Sequence, residues 1–71
     1  MDKESLEEVL NAEPFKPFRI HMNSGKTFEV HNPDLVMHLK TQVFFAFPDS
    51  DRFAVISPQN ISAIEILEHA A

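Results

Sequence analysis

The chain has no cysteine and only one glycine among its 71 residues. Without thiols it forms no disulfide and offers neither a thiolate nucleophile nor a cysteine-based zinc site. One glycine, Gly25, is too few for a glycine-rich loop around a phosphate group. A chain this short is near the lower size limit for unassisted folding, so its stability must come from packing. We predict a single domain over residues 1–71.

Long apolar runs and clustered bases are also missing. No run reaches the roughly 18 apolar residues that predict a membrane-spanning helix, and the acidic start Met-Asp-Lys-Glu-Ser differs from a basic-then-apolar secretion signal, so we expect a cytoplasmic protein with no membrane partner. The formal net charge is −5, and residues 1–14 hold five of the 11 acids. The bases are scattered singly, which argues against nucleic-acid binding through phosphate contacts.

The stretch from Pro14 to Val30 predicts a stiff extended connector followed by a β-hairpin. Apolar and polar residues alternate on both sides of Gly25. Directly opposed residues of an antiparallel pair share a face, so apolar residues must meet apolar ones. A three-residue loop over 23–25, with Gly25 in the left-handed region, satisfies this rule. Ile20 then opposes Phe28, and Arg19 opposes Glu29 as a solvated surface pair.

Residues 2–12 predict a short amphipathic helix, because Leu6, Val9 and Leu10 recur at helical spacing opposite acidic residues. Pro14 ends it. About two to three turns are not stable alone, so the apolar stripe must dock on another surface. We expect it to pack over its own sheet; a partner-binding helix is the alternative.

The remainder predicts more strands, separated by a break over residues 31–34 and turns at 40–41, 48–51 and 57–60. The predicted fold is α+β and mainly β, with the helix followed by about five antiparallel strands within residues 17–67. Two of these strands are apolar on both faces. One face fills the core, and the second must be covered by the helix or by another subunit. We assign this second face, a candidate homo-oligomer interface, to Phe44, Ala46, Ala54 and Ile56.

The sequence favours neither catalysis nor a metal or cofactor. In the predicted hairpin His21 and His31 lie on the order of 13 Å apart, too far to share a zinc ion, and no pattern places His38 beside either. Asp49 and Asp51 flank a predicted turn, where aspartate is ordinary. We therefore predict a non-enzymatic protein that binds no cofactor and no metal.

The chain resembles a widespread family of short bacterial proteins. The resemblance rests on the pattern Leu10-x3-Pro14-Phe-x-Pro-Phe-x-Ile20-His-x3-Gly25-x2-Phe-x-Val30-x2-Pro33. It runs over nearly the whole chain and includes the Pro48-Asp49 turn and the closing Ile-x-x-Ile-Glu-Ile strand. It implies a stand-alone domain and no functional residues. The chain departs from the family pattern in lacking a glycine after Asp49.

The predicted topology also resembles SH3-like and Sm-like small barrels, with a strongly twisted sheet as the alternative to a barrel. Sm-like proteins form rings that bind RNA. Here Ser-Pro-Gln-Asn follows Ile56, in place of the basic-plus-glycine element of that superfamily. Two function hypotheses result. The first is an interaction or accessory module that self-associates through an apolar strand face or a sheet edge. The alternative is an Sm-like RNA-binding protein that uses Arg19, His21 and Lys26; the charge balance favours the first.

Overall fold

The computed structural model describes residues 3–67, which form one α-helix and six β-strands. The elements are α1 (Lys3–Leu10), β1 (Phe18–Met22), β2 (Thr27–Val30), β3 (Val36–His38), β4 (Val43–Ala46), β5 (Phe53–Ile56) and β6 (Ile61–Ile66). Short 3₁₀ turns, Pro33–Leu35 and Pro58–Asn60, precede β3 and β6. The prediction of one helix and a mainly β chain is confirmed.

The strands form two antiparallel sheets of three strands each. The first sheet has the order β2-β1-β6 and the second sheet has the order β3-β4-β5. Within residues 3–67 no hydrogen-bonded strand pair connects the two sheets. A closed barrel is therefore not found, and two packed sheets replace it.

The hairpin of β1 and β2 has the predicted register. Ile20 opposes Phe28 and Arg19 opposes Glu29. The three-residue loop closes through two hydrogen bonds, from Met22 N–H to the Lys26 carbonyl at 2.9 Å and from Gly25 N–H to the Met22 carbonyl at 3.0 Å. Gly25 has a φ of 94°, a conformation that costs least for a residue without a Cβ. The prediction is confirmed in register, loop length and glycine position.

Strand β6 pairs with the other edge of β1 and completes the first sheet. Ile20 opposes Ile64, and Arg19 opposes Glu65. A bulge at the end of the ladder leaves Ser62 without an opposite residue, and its Oγ donates a hydrogen bond to the His21 carbonyl at 3.0 Å. The first sheet thus keeps its large apolar residues on one face and its charged residues on the other.

Helix α1 ends at Leu10, two residues before the predicted end, and its predicted start at residue 2 lies outside the described residues. The reason is Pro14, which has no N–H to donate to the carbonyl four residues earlier and whose ring clashes with that carbonyl. Leu6 and Leu10 are both buried in the core. The expectation that the helix packs on its own sheets is confirmed.

One core lies between the sheets and is closed by the helix. Its nine buried side chains come from α1 and from both sheets: Leu6, Leu10, Phe18, Ile20, Val30, Val43, Phe45, Ile56 and Ile61. Aromatic rings connect the sheets, because Phe28 of β2 lies 5.4 Å from Phe45 and 6.0 Å from Phe47, between ring centroids. The Arg52 guanidinium covers the Phe47 ring at 4.7 Å from its centroid.

The two faces of β1 should respond very differently to truncation. Ile20→Ala removes a fully buried side chain, and we expect it to lower the free energy of unfolding by about 2–5 kcal/mol. Arg19→Ala removes a solvated side chain, so its effect should be much smaller. Urea denaturation measures both, and equal losses of midpoint for the two variants would contradict the face assignment.

His38 is an exception to the apolar inner face of the second sheet. It opposes Val43, which is fully buried. Both of its ring nitrogens are buried and have no hydrogen-bond partner among residues 3–67. Unpartnered buried polar atoms cost free energy that an apolar side chain of similar size does not.

Replacing His38 with leucine should therefore stabilise the protein. We expect His38→Leu to raise the free energy of unfolding by about 1 kcal/mol or more. The matched control is His31→Leu, which removes an exposed imidazole that is hydrogen-bonded to Glu29 and should bring no gain. The midpoints of urea denaturation measure both variants. A lower midpoint for His38→Leu than for the unmodified protein would contradict this prediction.

Candidate functional site

The second sheet is apolar on both faces, and only one face contributes to the core. Val43 and Phe45 of β4 are buried, whereas the residues between and after them point to the opposite side. We call that opposite side the outer face. Its members, read from the strand pairing, are Met37, Phe44, Ala46, Phe53 and Val55.

Of the four residues predicted for this face, two lie on it and two do not. Phe44 and Ala46 lie on the outer face, but Ala54 opposes Phe45 and Ile56 opposes Val43, so both belong to the inner face. Ile56 is only 3% exposed. The residues that actually share the outer face with Phe44 in β5 are Phe53 and Val55.

The reason for this error is the length of the turn between β4 and β5. Phe47 N–H donates to the Arg52 carbonyl at 3.1 Å, which leaves a four-residue loop over 48–51. Across a loop with an even number of residues, each odd-numbered position of one strand opposes an even-numbered position of the other. Two even-numbered residues on different strands, such as Phe44 and Ile56, therefore lie on opposite faces of the sheet. The length of the turn from Pro48 to Asp51 determines which residues of the two strands share a face. The apolar pattern does not, because every position of both strands is apolar.

The outer face exposes large apolar side chains to solvent. The exposed fractions are 61% for Met37, 60% for Phe53 and 55% for Val55. The Phe44 and Phe53 rings are stacked on it, with centroids 5.0 Å apart and planes 20° from parallel. None of the five side chains of this face carries a charge. Because the helix packs into the core, it leaves this face uncovered, so the sequence expectation of cover by the helix is not met.

The outer side of the first sheet has the opposite character and is a polar network centred on Arg19. The Arg19 guanidinium donates to Glu29 Oε2 from Nη2 at 2.7 Å and from Nε at 3.2 Å, and to Glu65 Oε1 from Nη1 at 3.2 Å. Two histidines complete it, because His21 Nε2 lies 2.9 Å from Glu65 Oε1 and His31 Nε2 lies 3.0 Å from Glu29 Oε1. An ionised carboxylate only accepts hydrogen bonds, so both Nε2 atoms donate.

These contacts shift the pKa values of Arg19, Glu29 and Glu65. Hydrogen bonds from Arg19 and then His31 hold the pKa of Glu29 below its ordinary value. The hydrogen bond from His21, with the charge of Arg19, lowers the pKa of Glu65. In return, the hydrogen bond to Glu29 raises the pKa of Arg19. The network therefore fixes Arg19 between two ionised carboxylates.

The three candidate RNA contacts do not form one basic surface. Arg19 and His21 meet at Glu65, where both donate to the same carboxylate oxygen. Lys26 opposes Met22 at the end of the hairpin, so it lies on the alternate face of the ladder from His21. The carboxylates around Arg19 also oppose the approach of a phosphate group.

The described residues contain no group of three or more His, Asp or Glu side chains that is arranged to hold a metal ion. His21 and His31 are each bonded to a different glutamate. None of the helical segments within residues 3–67 has the length and apolarity to cross a bilayer. The outer face of the second sheet is thus the feature of the described surface that most needs an explanation.

The network predicts a specific loss of stability in acid. A carboxylate whose pKa is lower in the folded protein stabilises the fold above its unfolded pKa, and that contribution disappears as the pH falls through the folded value. Glu29 and Glu65 should therefore make the protein less stable as the pH drops below about 4.5. Arg19→Gln should flatten the dependence of the urea midpoint on pH between about 6 and about 3.

Lys26→Gln is the control for that experiment, because it removes one positive charge outside the network and should leave the slope unchanged. The same pH dependence in Arg19→Gln as in the unmodified protein would show that Arg19 contributes little to the lowered pKa of Glu29 and of Glu65.

Comparison with known proteins adds no family to this description: no protein-family model, no curated protein and no solved structure matches the chain. The resemblance to a family of short bacterial proteins remains a prediction. The two sheets of the chain present contrasting outer sides, an uncharged apolar face on the second sheet and a network of ion pairs and hydrogen bonds on the first.

Proposed function

We propose that this protein is a non-enzymatic interaction module that self-associates through the outer face of its second sheet. The observation that supports the proposal is the exposure of Met37, Phe53 and Val55 on one continuous uncharged face. Isolated exposed apolar residues are common on soluble proteins, but contiguous patches usually mark contact surfaces.

A second copy of the chain suits this face better than a charged partner does. A two-fold interface brings a patch against itself, so the patch must be complementary to itself in charge. An uncharged apolar face meets that condition. The acidic helix packs on the core side of the second sheet, away from the outer face. Two copies stacked through their outer faces would form a sandwich with sheets about 10 Å apart and would keep the two acidic helices apart.

The size of the patch sets the strength of the expected contact. The exposed parts of its large side chains amount to roughly 300–400 Å² per copy, which is the size of patches that are often functional on small monomers. A specific interface buries more than about 1,000 Å² in total. The patch therefore supplies the apolar centre of an interface, and polar groups around it must supply the rest. We expect a dimer that dissociates at micromolar concentrations.

The first test is the mass of the protein in solution. Sedimentation equilibrium over a micromolar concentration series should show a species of twice the 8.1 kDa protomer mass. Phe53→Glu places a charge on an exposed side chain of the patch that is stacked on Phe44, so it should shift the protein to a monomer while leaving its circular dichroism spectrum unchanged.

The matched control is Thr27→Glu, which introduces the same residue at an exposed strand position of the first sheet. It should assemble like the unmodified protein. A monomer at every concentration for the unmodified protein, or equal assembly of Phe53→Glu and Thr27→Glu, would contradict the proposal.

A further inference from the structure

A second surface feature is a cleft of about 390 Å³ at the end of the helix. It is lined by Leu10, Asn11, Ala12, Glu13, Phe15 and Pro33. Leu10 is buried, and Phe15 and Pro33 are half-buried, so the three residues give the floor of the cleft an apolar contact surface. The Phe15 ring rests edge-on against the buried Phe18 ring, with centroids 6.0 Å apart, which holds this floor in place. The volume lies within the range of sites for small molecules.

Glu13 is the one charged residue among the six that line this cleft. Glu13 is exposed at its edge, and no hydrogen bond or ion pair joins it to another described residue. Helix α1 ends at the cleft with Leu10, and its last turn contains no basic residue. Asn11 N–H donates to the Glu7 carbonyl at 2.9 Å, but the carbonyls that follow have no partner within the helix, so this end carries the negative pole of the helix dipole.

From this combination we infer that the cleft binds a small organic amine, that is, an ammonium group on an apolar body. The carboxylate of Glu13 and the negative helix end favour a cation, and Phe15, Leu10 and Pro33 offer contact to its apolar part. Asn11 also lines the cleft, and an asparagine side chain carries a carbonyl oxygen that can accept a hydrogen bond. This site lies apart from the outer face, and the inference does not depend on self-association.

Benzylamine is the probe, because it joins an ammonium group to one aromatic ring, and benzyl alcohol is its uncharged counterpart. In ¹H–¹⁵N correlation spectra of the full chain, benzylamine should shift the amide signals of residues 10–13 and of Phe15, with a Kd in the millimolar range. Benzyl alcohol should bind distinctly more weakly. Glu13→Gln should weaken benzylamine binding about fivefold, as expected for the loss of one partly exposed ion pair.

Glu8→Gln is the matched control, since it makes the same change on the acidic helix at an exposed residue that does not line the cleft. It should leave benzylamine binding unchanged. Equal binding of benzylamine and benzyl alcohol would assign the cleft to an apolar ligand and overturn the inference. Unchanged binding in Glu13→Gln, or shifts confined to other parts of the protein, would overturn it as well.

Discussion

The two sheets are joined chiefly by apolar contact between their inner faces, and the rest of the structure depends on that contact. Within residues 3–67 no strand pair bridges them, and the chain has no cysteine for a disulfide. The Phe28, Phe45 and Phe47 rings and the buried leucines of the helix therefore hold the layers together. Because the helix packs into this core, no described residue covers the outer face of the second sheet. The outer face is exposed because the helix and the inner faces of both sheets are used to close the core of residues 3–67.

The contrast between the two sheets explains how much of the fold could be predicted. In the first hairpin, polar residues alternate with apolar ones and Gly25 marks the turn, so only one register avoids burying Arg19 or exposing Ile20. In β4 and β5 both faces are apolar, and the pattern gives no reason to prefer one register. There the four-residue turn decides which residues share a face, and it places Ile56 inside and Phe53 outside. Face assignment from hydrophobicity alone fails where no polar residue marks the solvent side.

The polar network could be predicted only in part, because some of its contacts join residues that are far apart in the sequence. The Arg19–Glu29 pair follows from the local hairpin, whereas the contacts of Arg19 and His21 with Glu65 require β6 to lie against β1, 46 and 44 residues away along the chain. No local signal specifies that neighbour. The consequence bears on function, because the same arginine that the sequence offers as an RNA contact is bonded to two carboxylates in the folded protein. On the polar side of the molecule, the charged groups of the network are hydrogen-bonded to one another. On the outer face of the second sheet, large apolar side chains remain exposed.

The most direct test of that account is to observe which atoms of two copies touch. An isotope-filtered nuclear Overhauser experiment on a mixture of ¹³C-labelled and unlabelled protein reports only contacts between copies. Association through the outer face predicts cross-peaks from the Met37 and Val55 methyl groups of one copy to the Phe44 and Phe53 rings of the other. Contacts confined to the first sheet or the helix, or no contacts between copies at all, would contradict it.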